Sequence, residues 1–201
     1  SEHSRDSAMP PRILVQAWRQ RGIVPMVCDH DSIEGSRRVM QAIRAADPSV
    51  PRILAEEIKT ESGEIVGLFL TEEVKGGLSA EETLDIIAGQ DGLALVPHPF
   101  SRRRTSVLRR DVLDAVIGRI DIIEGYNGRN RFPGDNHKAV TYARRMKKPI
   151  SAGSDAHTPI ELFKNYVEVE PFQTPREFLA SLSRAALYLE QPPSCAVVPF
   201  R

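Results

Sequence analysis

Ser151-Ala152-Gly153-Ser154-Asp155-Ala156-His157 follows Lys147-Lys148-Pro149-Ile150, which reads as the end of a basic helix running into a buried strand. The strand then delivers an Asp and a His two residues apart, with only Gly, Ser and Ala around them. Small neighbours let the backbone come close to an ion, and a carboxylate and an imidazole both suit Zn, Mn or Fe. The same residues also fit an ordinary polar loop in which Asp155 caps the next helix. What favours the metal is that other strand ends finish in the same way.

Moving outward, the expected strand Ile23–Val27 ends at Cys28-Asp29-His30-Asp31. The strand Arg52–Ala55 finishes in Glu56-Glu57-Ile58, and after the turn at Thr60–Gly63 the segment Ile65–Leu70 returns as a hairpin partner. Leu93–Val96 ends in Pro97-His98-Pro99-Phe100, and Asp121–Glu124 ends in Gly125-Tyr126-Asn127. Each of these polar residues taken singly has a plain explanation as a cap, a turn residue or a charged loop. Together, three of the five histidines end expected strands, each beside a Gly, Pro or acid. His137 falls instead in a helix beside Asn136 and Lys138 and reads as a surface residue.

Between the strands lie helical stretches. Ile13, Leu14, Ala17 and Trp18 share one apolar face before Gly22, and Val39, Met40 and Ile43 share another. Ser79-Ala80-Glu81-Glu82 and Thr174-Pro175-Arg176-Glu177 are capping boxes. Further helices are expected near Val112–Ile117 and Asn136–Met146, with late strands at Tyr166–Val169 and Ala186–Leu189. Strand and helix alternate along the whole length, which predicts an α/β fold with a parallel sheet and crossover helices. If the sheet closes into a barrel, chemistry is expected at the carboxyl ends of the strands, where the polar residues fall.

The 201 residues, 41% of them hydrophobic, suit one compact domain over 1–201. The formal net charge of zero supplies no global field drawing the chain to nucleic acid or membrane. Two cysteines are too few for a disulfide framework and fit a reducing compartment. No apolar run approaches the ~20 residues of a membrane span, and the polar start is unlike a signal peptide. Cytoplasmic residence is the expectation, with no membrane partner. Nucleic acid is disfavoured as a partner, because no basic, aromatic-laced stretch is present.

Four ordered segments resemble the PHP (polymerase and histidinol phosphatase) superfamily of metal-dependent phosphoesterases. Cys28-Asp29-His30-Asp31-Ser32-Ile33-Glu34-Gly35 is similar to its second motif, and Glu56-Glu57-Ile58-Lys59-Thr60 to the segment carrying a metal-bridging Glu. Pro97-His98-Pro99-Phe100 and Ser154-Asp155-Ala156-His157 resemble the third and fourth motifs. The resemblance implies a distorted seven-stranded (β/α) barrel, incomplete at its first strand, because the family's Asp-x-His-x-His motif is absent. The start, Ser1–Met9, resembles what directly follows that motif, so two more histidines are expected just before Ser1. Asn127 stands where the family often has His.

The resemblance further implies two or three divalent ions (Zn, Mn or Fe) and hydrolysis of a small phosphate ester, a phosphomonoester or nucleotide, by a metal-activated hydroxide. On that basis Glu57 bridges two ions, with His98 on one, Asp155 as a further ligand and the two missing histidines completing the set, and Asn127 holds one weakly. His30, His157 and Asp6 hold a third. Asp29 is expected to orient a ligand or accept a proton. Arg129, or alternatively Arg102, Arg103 and Arg104, is expected to clamp phosphate. With two ligands missing, the chain as given is expected to be impaired. The alternatives are a PHP-like binding module without catalysis and a metal hydrolase acting on a non-phosphate bond.

Overall fold

The computed structural model describes residues 9–191 and 194–198; His3 and Asp6 therefore lie outside the described residues. Six strands share the main sheet in chain order. Strands β1 (Cys28–His30) and β2 (Ala55–Thr60) run parallel, with His30 opposite Glu57. Strand β3 (Gly63–Leu68) folds straight back on β2, and β4 (Leu93–Val96) is antiparallel to β3, so it points the same way as β1 and β2. Strands β5 (Ile122–Asn127) and β6 (Ile150–Gly153) continue in parallel. Strands β7 (Asn165–Glu168), β8 (Ala186–Gln191) and β9 (Ser194–Val198) make a separate antiparallel sheet. Ser154 ties the two sheets together by accepting from the Asn165 N–H at 3.0 Å and donating to the Asn165 carbonyl at 3.1 Å.

The fold is thus α/β, with a curled six-stranded sheet rather than seven strands in one barrel. Regular alternation of strand and helix breaks at the hairpin. There Thr60 Oγ1 donates to the Gly63 carbonyl and accepts from the Ser62 N–H, closing a turn too short for a crossover helix. The expected strand at residues 23–27 is also absent, for the chain is irregular until Cys28. Pro25 cannot donate to a ladder there.

Helices α1 (Pro11–Arg21), α2 (Glu34–Ala46), α3 (Ala80–Gly89), α4 (Arg110–Val116) and α5 (Pro133–Arg145) supply an outer layer. Val39, Ile43, Leu84, Ile87 and Leu113 bury their apolar stripe with Ile58, Ile65, Val96 and Ile123 of the sheet. Each such fully buried side chain is worth roughly 1.5–3 kcal/mol. The inner face of the sheet has its own core. Ala55, Val66, Leu68, Leu93, Leu95 and Ile122 pack with Phe172 and with Phe178 and Leu182 of α6 (Pro175–Leu182). Phe69 and Phe172 lie 5.4 and 5.0 Å from Phe178, ring centre to ring centre. The apolar plug fills one end of the curled face, and the polar strand ends line the other. No helix among the described residues is long and apolar enough to cross a membrane.

Candidate metal centre

Successive side chains on a strand point to opposite faces, which separates the two adjacent glutamates of β2. Ala55 belongs to the inner core, so Glu57 also faces inward, while Glu56 faces away and accepts from the Val74 N–H at 3.0 Å. On the antiparallel neighbour β3, Val66 stands opposite Glu57, and Glu64, two residues away, shares its face. His30 at the end of β1 and His98 just beyond β4 complete the group.

Glu57 lies with Oε1 3.2 Å from His98 Nε2 and Oε2 3.4 Å from His30 Nδ1. Glu64 places its two oxygens 3.5 Å from His30 Nδ1 and 3.6 Å from His98 Nε2. Donor atoms of His30, Glu57 and Glu64 all fall within 4.8 Å of one another. His98 and Glu64 are buried at 2% and 4% exposure, and His98 Nδ1 and Glu64 Oε2 have no hydrogen-bond partner. Two carboxylates and two imidazoles converging, with the buried Glu64 Oε2 left without a hydrogen bond, are a donor set that fits a divalent cation.

The electrostatics separate the two carboxylates. Burial works against a charged Glu57, but the hydrogen bond from His98 and the charges of His98, His30 and Arg104 outweigh it and hold its pKa below the ordinary value. Burial and the Glu57 charge push Glu64 the other way, upward. Burial also disfavours a charged His98, yet the Glu57 hydrogen bond and the Glu124 and Glu57 charges raise its pKa.

A second polar group sits at the ends of β5 and β6. Asn127 Nδ2 donates to Glu124 Oε2 and to Asp155 Oδ2, both at 3.0 Å, and its Oδ1 accepts from the Arg129 N–H. Arg104 donates to Asp155 Oδ2. The His157 ring lies against Asp155, with Nδ1 3.0 Å from its carbonyl oxygen. Glu124 also accepts from the His98 N–H at 2.7 Å, which links the two groups. Burial raises the Glu124 pKa to about 7; the Asp155 charge adds to this, and His98 and Asn127 oppose it. His98 and Asp155 have φ of 33° and 49°, a region side-chain-bearing residues seldom occupy, so the backbone turns sharply where each strand ends.

The expected site residues are therefore spread over two adjoining groups. His30, Glu57 and His98 meet in one; Asn127, Asp155 and His157 meet in the other. Asp29 is buried at 2% exposure in register with Glu56. Among the arginines, Arg104 reaches the site itself. Arg102 turns aside, donating to Asp135 at 2.8 Å and stacking over the Phe132 ring. Arg103 and Arg129 line an open groove beside the second group.

Reading strand ends does not find Glu64 or Glu124. Glu64 opens β3, and because that strand runs backwards its amino end reaches the edge where the other strands finish. The one sequence signal that points to it is the hairpin, which sets Glu64 diagonal to Glu57.

Comparison with known proteins agrees with this architecture. The family model for PHP-associated sequences matches residues 133–187. A protein of uncharacterised function from Methanocaldococcus jannaschii, MJ0417, is 33% identical over 186 residues, which cover 88% of this chain and 73% of that protein. A two-domain crystal structure from Bacteroides vulgatus, described as containing a predicted PHP-like metal-dependent phosphoesterase, superposes with a TM-score of 0.68 at 16% identity. The match covers 92% of this chain and 61% of that one, so this chain spans less than two thirds of the two-domain protein. An amidohydrolase from Chromobacterium violaceum, solved with bound sulfate and no metal, superposes with a TM-score of 0.66 at 18% identity over 95% of this chain and 96% of its own. The chain belongs to the PHP superfamily.

Proposed function

We propose that this chain is a metal-dependent hydrolase that cleaves a small phosphate ester, a phosphomonoester or nucleotide. The observation that carries the reading is the convergence of His30, Glu57, Glu64 and His98 Nε2, with the buried Glu64 Oε2 left without a hydrogen bond. These four residues would hold a divalent ion such as Zn, Mn or Fe. Asn127, Asp155 and His157 stand where a second would sit. A bound ion supplies a water acidified toward neutral pH and neutralises charge on phosphate oxygens.

The chain's own residues supply the rest. Glu57, held ionised by His98, keeps a negative charge available to the cation at neutral pH. Glu124 fixes the turn that presents His98 by accepting its backbone N–H. Arg104 lies between the two groups, bonded to Asp155 and with its charge felt at Glu57 and His98. That position makes it better placed than Arg129 to clamp a phosphate with its guanidinium fork. Asp29 would act as a positioning residue behind His30.

The test is metal content by mass spectrometry together with phosphate release from a panel of phosphomonoesters and nucleotides. Bound divalent metal, with turnover lost in Glu57→Gln, is the expected result. Neither metal nor phosphate release would leave a binding module and end the proposal. A second reading, hydrolysis at carbon, draws on the likeness to the Chromobacterium amidohydrolase. Bound metal with release from amide substrates and none from phosphate esters would establish it instead.

A further inference from the structure

Beside the second polar group lies an open groove of about 1720 Å³. Sites for small molecules are typically ~300–1,000 Å³, so this groove is large for a phosphomonoester alone. Six cationic side chains line it: Arg103, Arg104, Arg129, Arg131, Arg144 and Lys164. They come from four separate parts of a chain whose net charge is zero, so it is the fold that gathers them. The carboxylates in the groove are already engaged. Asp135 accepts from Arg102, Glu190 pairs with Lys164 at 3.1 Å, and Glu161 accepts from the His157 and Thr158 N–H groups. Arg103 and Arg131 are exposed and make no ion pair among the described residues.

Two further features narrow the ligand. Phe132 lines the groove at 40% exposure, with the Arg102 guanidinium 4.1 Å from its ring centre, a flat platform already assembled. The groove also shares Asn127, His157 and Asn165 with the cleft holding the metal centre, so the two adjoin. The lining of that cleft includes no Lys or Arg. Arg104, bonded to Asp155, marks where the basic groove meets the metal centre, and the other five cations lie along the groove.

We propose that this groove binds single-stranded nucleic acid, its phosphates tracking the arginines and a base stacking on Phe132, so that the substrate is the end of a strand. The placement of that end rests on the hydrolase reading; the binding itself does not. A flexible strand fits because its bases are free to stack on an exposed ring, while a duplex hides them.

The test is fluorescence anisotropy of a labelled ten-nucleotide oligothymidylate with the full chain in EDTA, where no turnover occurs. With about three phosphates neutralised, the slope of log affinity against log salt is about −2, and affinity falls roughly 20-fold between 50 and 200 mM salt. In the Arg103→Ala/Arg131→Ala variant the slope shrinks by about 1.4. Phe132→Ala costs at least about fivefold for the oligonucleotide and nothing for inorganic tripolyphosphate. Thermal melting of both variants at the wild-type temperature confirms that each is folded. Unchanged affinity in the double arginine variant would overturn the inference. So would equal binding of a blunt duplex, or displacement by tripolyphosphate with Phe132→Ala neutral, which marks a phosphate site alone. Absent phosphate release with strand binding intact would count against the hydrolase reading and leave this one standing.

Discussion

The two polar groups at the mouth of the curled sheet use the same residue types and are satisfied in opposite ways. On β1 to β4, Glu57 and Glu64 face His30 and His98 at 3.2–3.6 Å, and buried atoms of Glu64 and His98 remain without partners. On β5 and β6, Asn127 spends both of its amide hydrogens on Glu124 and Asp155, and Asp155 Oδ2 also takes Arg104. The first group keeps an unfilled carboxylate oxygen on Glu64 that a cation would fit. The second already contains one, and a guanidinium occupying a carboxylate does part of what an ion would do. Metal-ligand residue types alone therefore do not say where an ion binds tightest; the pattern of unfilled bonds does.

The largest expected consequence is in metal affinity. Loss of a partner that only orients a metal ligand typically costs 10–100-fold, and a direct ligand should cost more. Glu57→Gln is expected to lower the affinity for Zn or Mn by at least about 100-fold, measured by titration calorimetry. Asp155→Asn is expected to change the tightest site by less than about tenfold. Equal losses in the two variants would erase the distinction between the groups.

The next effect is on stability. Glu124 is shut in by the sheet, and its folded pKa of about 7 lies above the ordinary value of 4.5. A carboxyl raised on folding binds its proton more tightly in the folded state. The contribution of Glu124 to stability is therefore greatest at low pH, falls as pH rises from about 4.5 to about 7, and is flat beyond. The shift corresponds to about 3 kcal/mol. Both hydrogen bonds to Glu124 end on Oε2, so a glutamine carbonyl can keep them. In urea denaturation of the metal-free protein, Glu124→Gln is expected to be about 2–3 kcal/mol more stable at pH 8 and unchanged at pH 4. Glu56 on the outer face is also raised to about 7, chiefly by burial, so a residual slope persists in the variant. A stability difference between Glu124→Gln and wild type that is the same at pH 4 and pH 8 would refute the account for Glu124.

Much of this site is legible in the sequence itself. His30 and His98 group because strand ends in a parallel sheet meet at one edge. Glu57, expected beyond a strand at Arg52–Ala55, lies instead inside β2 (Ala55–Thr60), where alternation turns it inward and Glu56 outward. Glu64 escapes that reasoning because it assumes parallel strands, and β3 runs backwards. The β2–β3 hairpin is itself readable from the turn at Thr60–Gly63. Its consequence is less plain: reversing a strand puts its first residues, not its last, at the functional edge. The engagement of Asp155 with Arg104 is hidden for another reason. It joins residues 51 positions apart through a loop whose path depends on packing, and local sequence carries no record of it. The basic groove escapes in the same way, being drawn from separate segments. Its arginines look like scattered surface charge until the loops after β4 and β5 and helix α5 bring them to one side.

The smallest effect is also the one that bears most directly on the contrast between the two groups. If Arg104 stands in for a cation at Asp155, removing its charge should make room for a real one. Arg104→Ala is expected to raise the affinity for a second divalent ion by about tenfold, since close charges near a protein surface interact by a few kcal/mol and part of that is recovered by solvent. The same variant should lower the affinity for inorganic phosphate, because the guanidinium that would grip it is gone. These two changes run in opposite directions, which a general loosening of the loop cannot produce: disorder would weaken both ligands together. A metal titration and a phosphate titration on one variant therefore separate the roles. If Arg104→Ala binds the second ion no better, Asp155 is closed by its bond to Asn127 as well as by Arg104, and the second group is a scaffold for His98 and not an ion site in waiting.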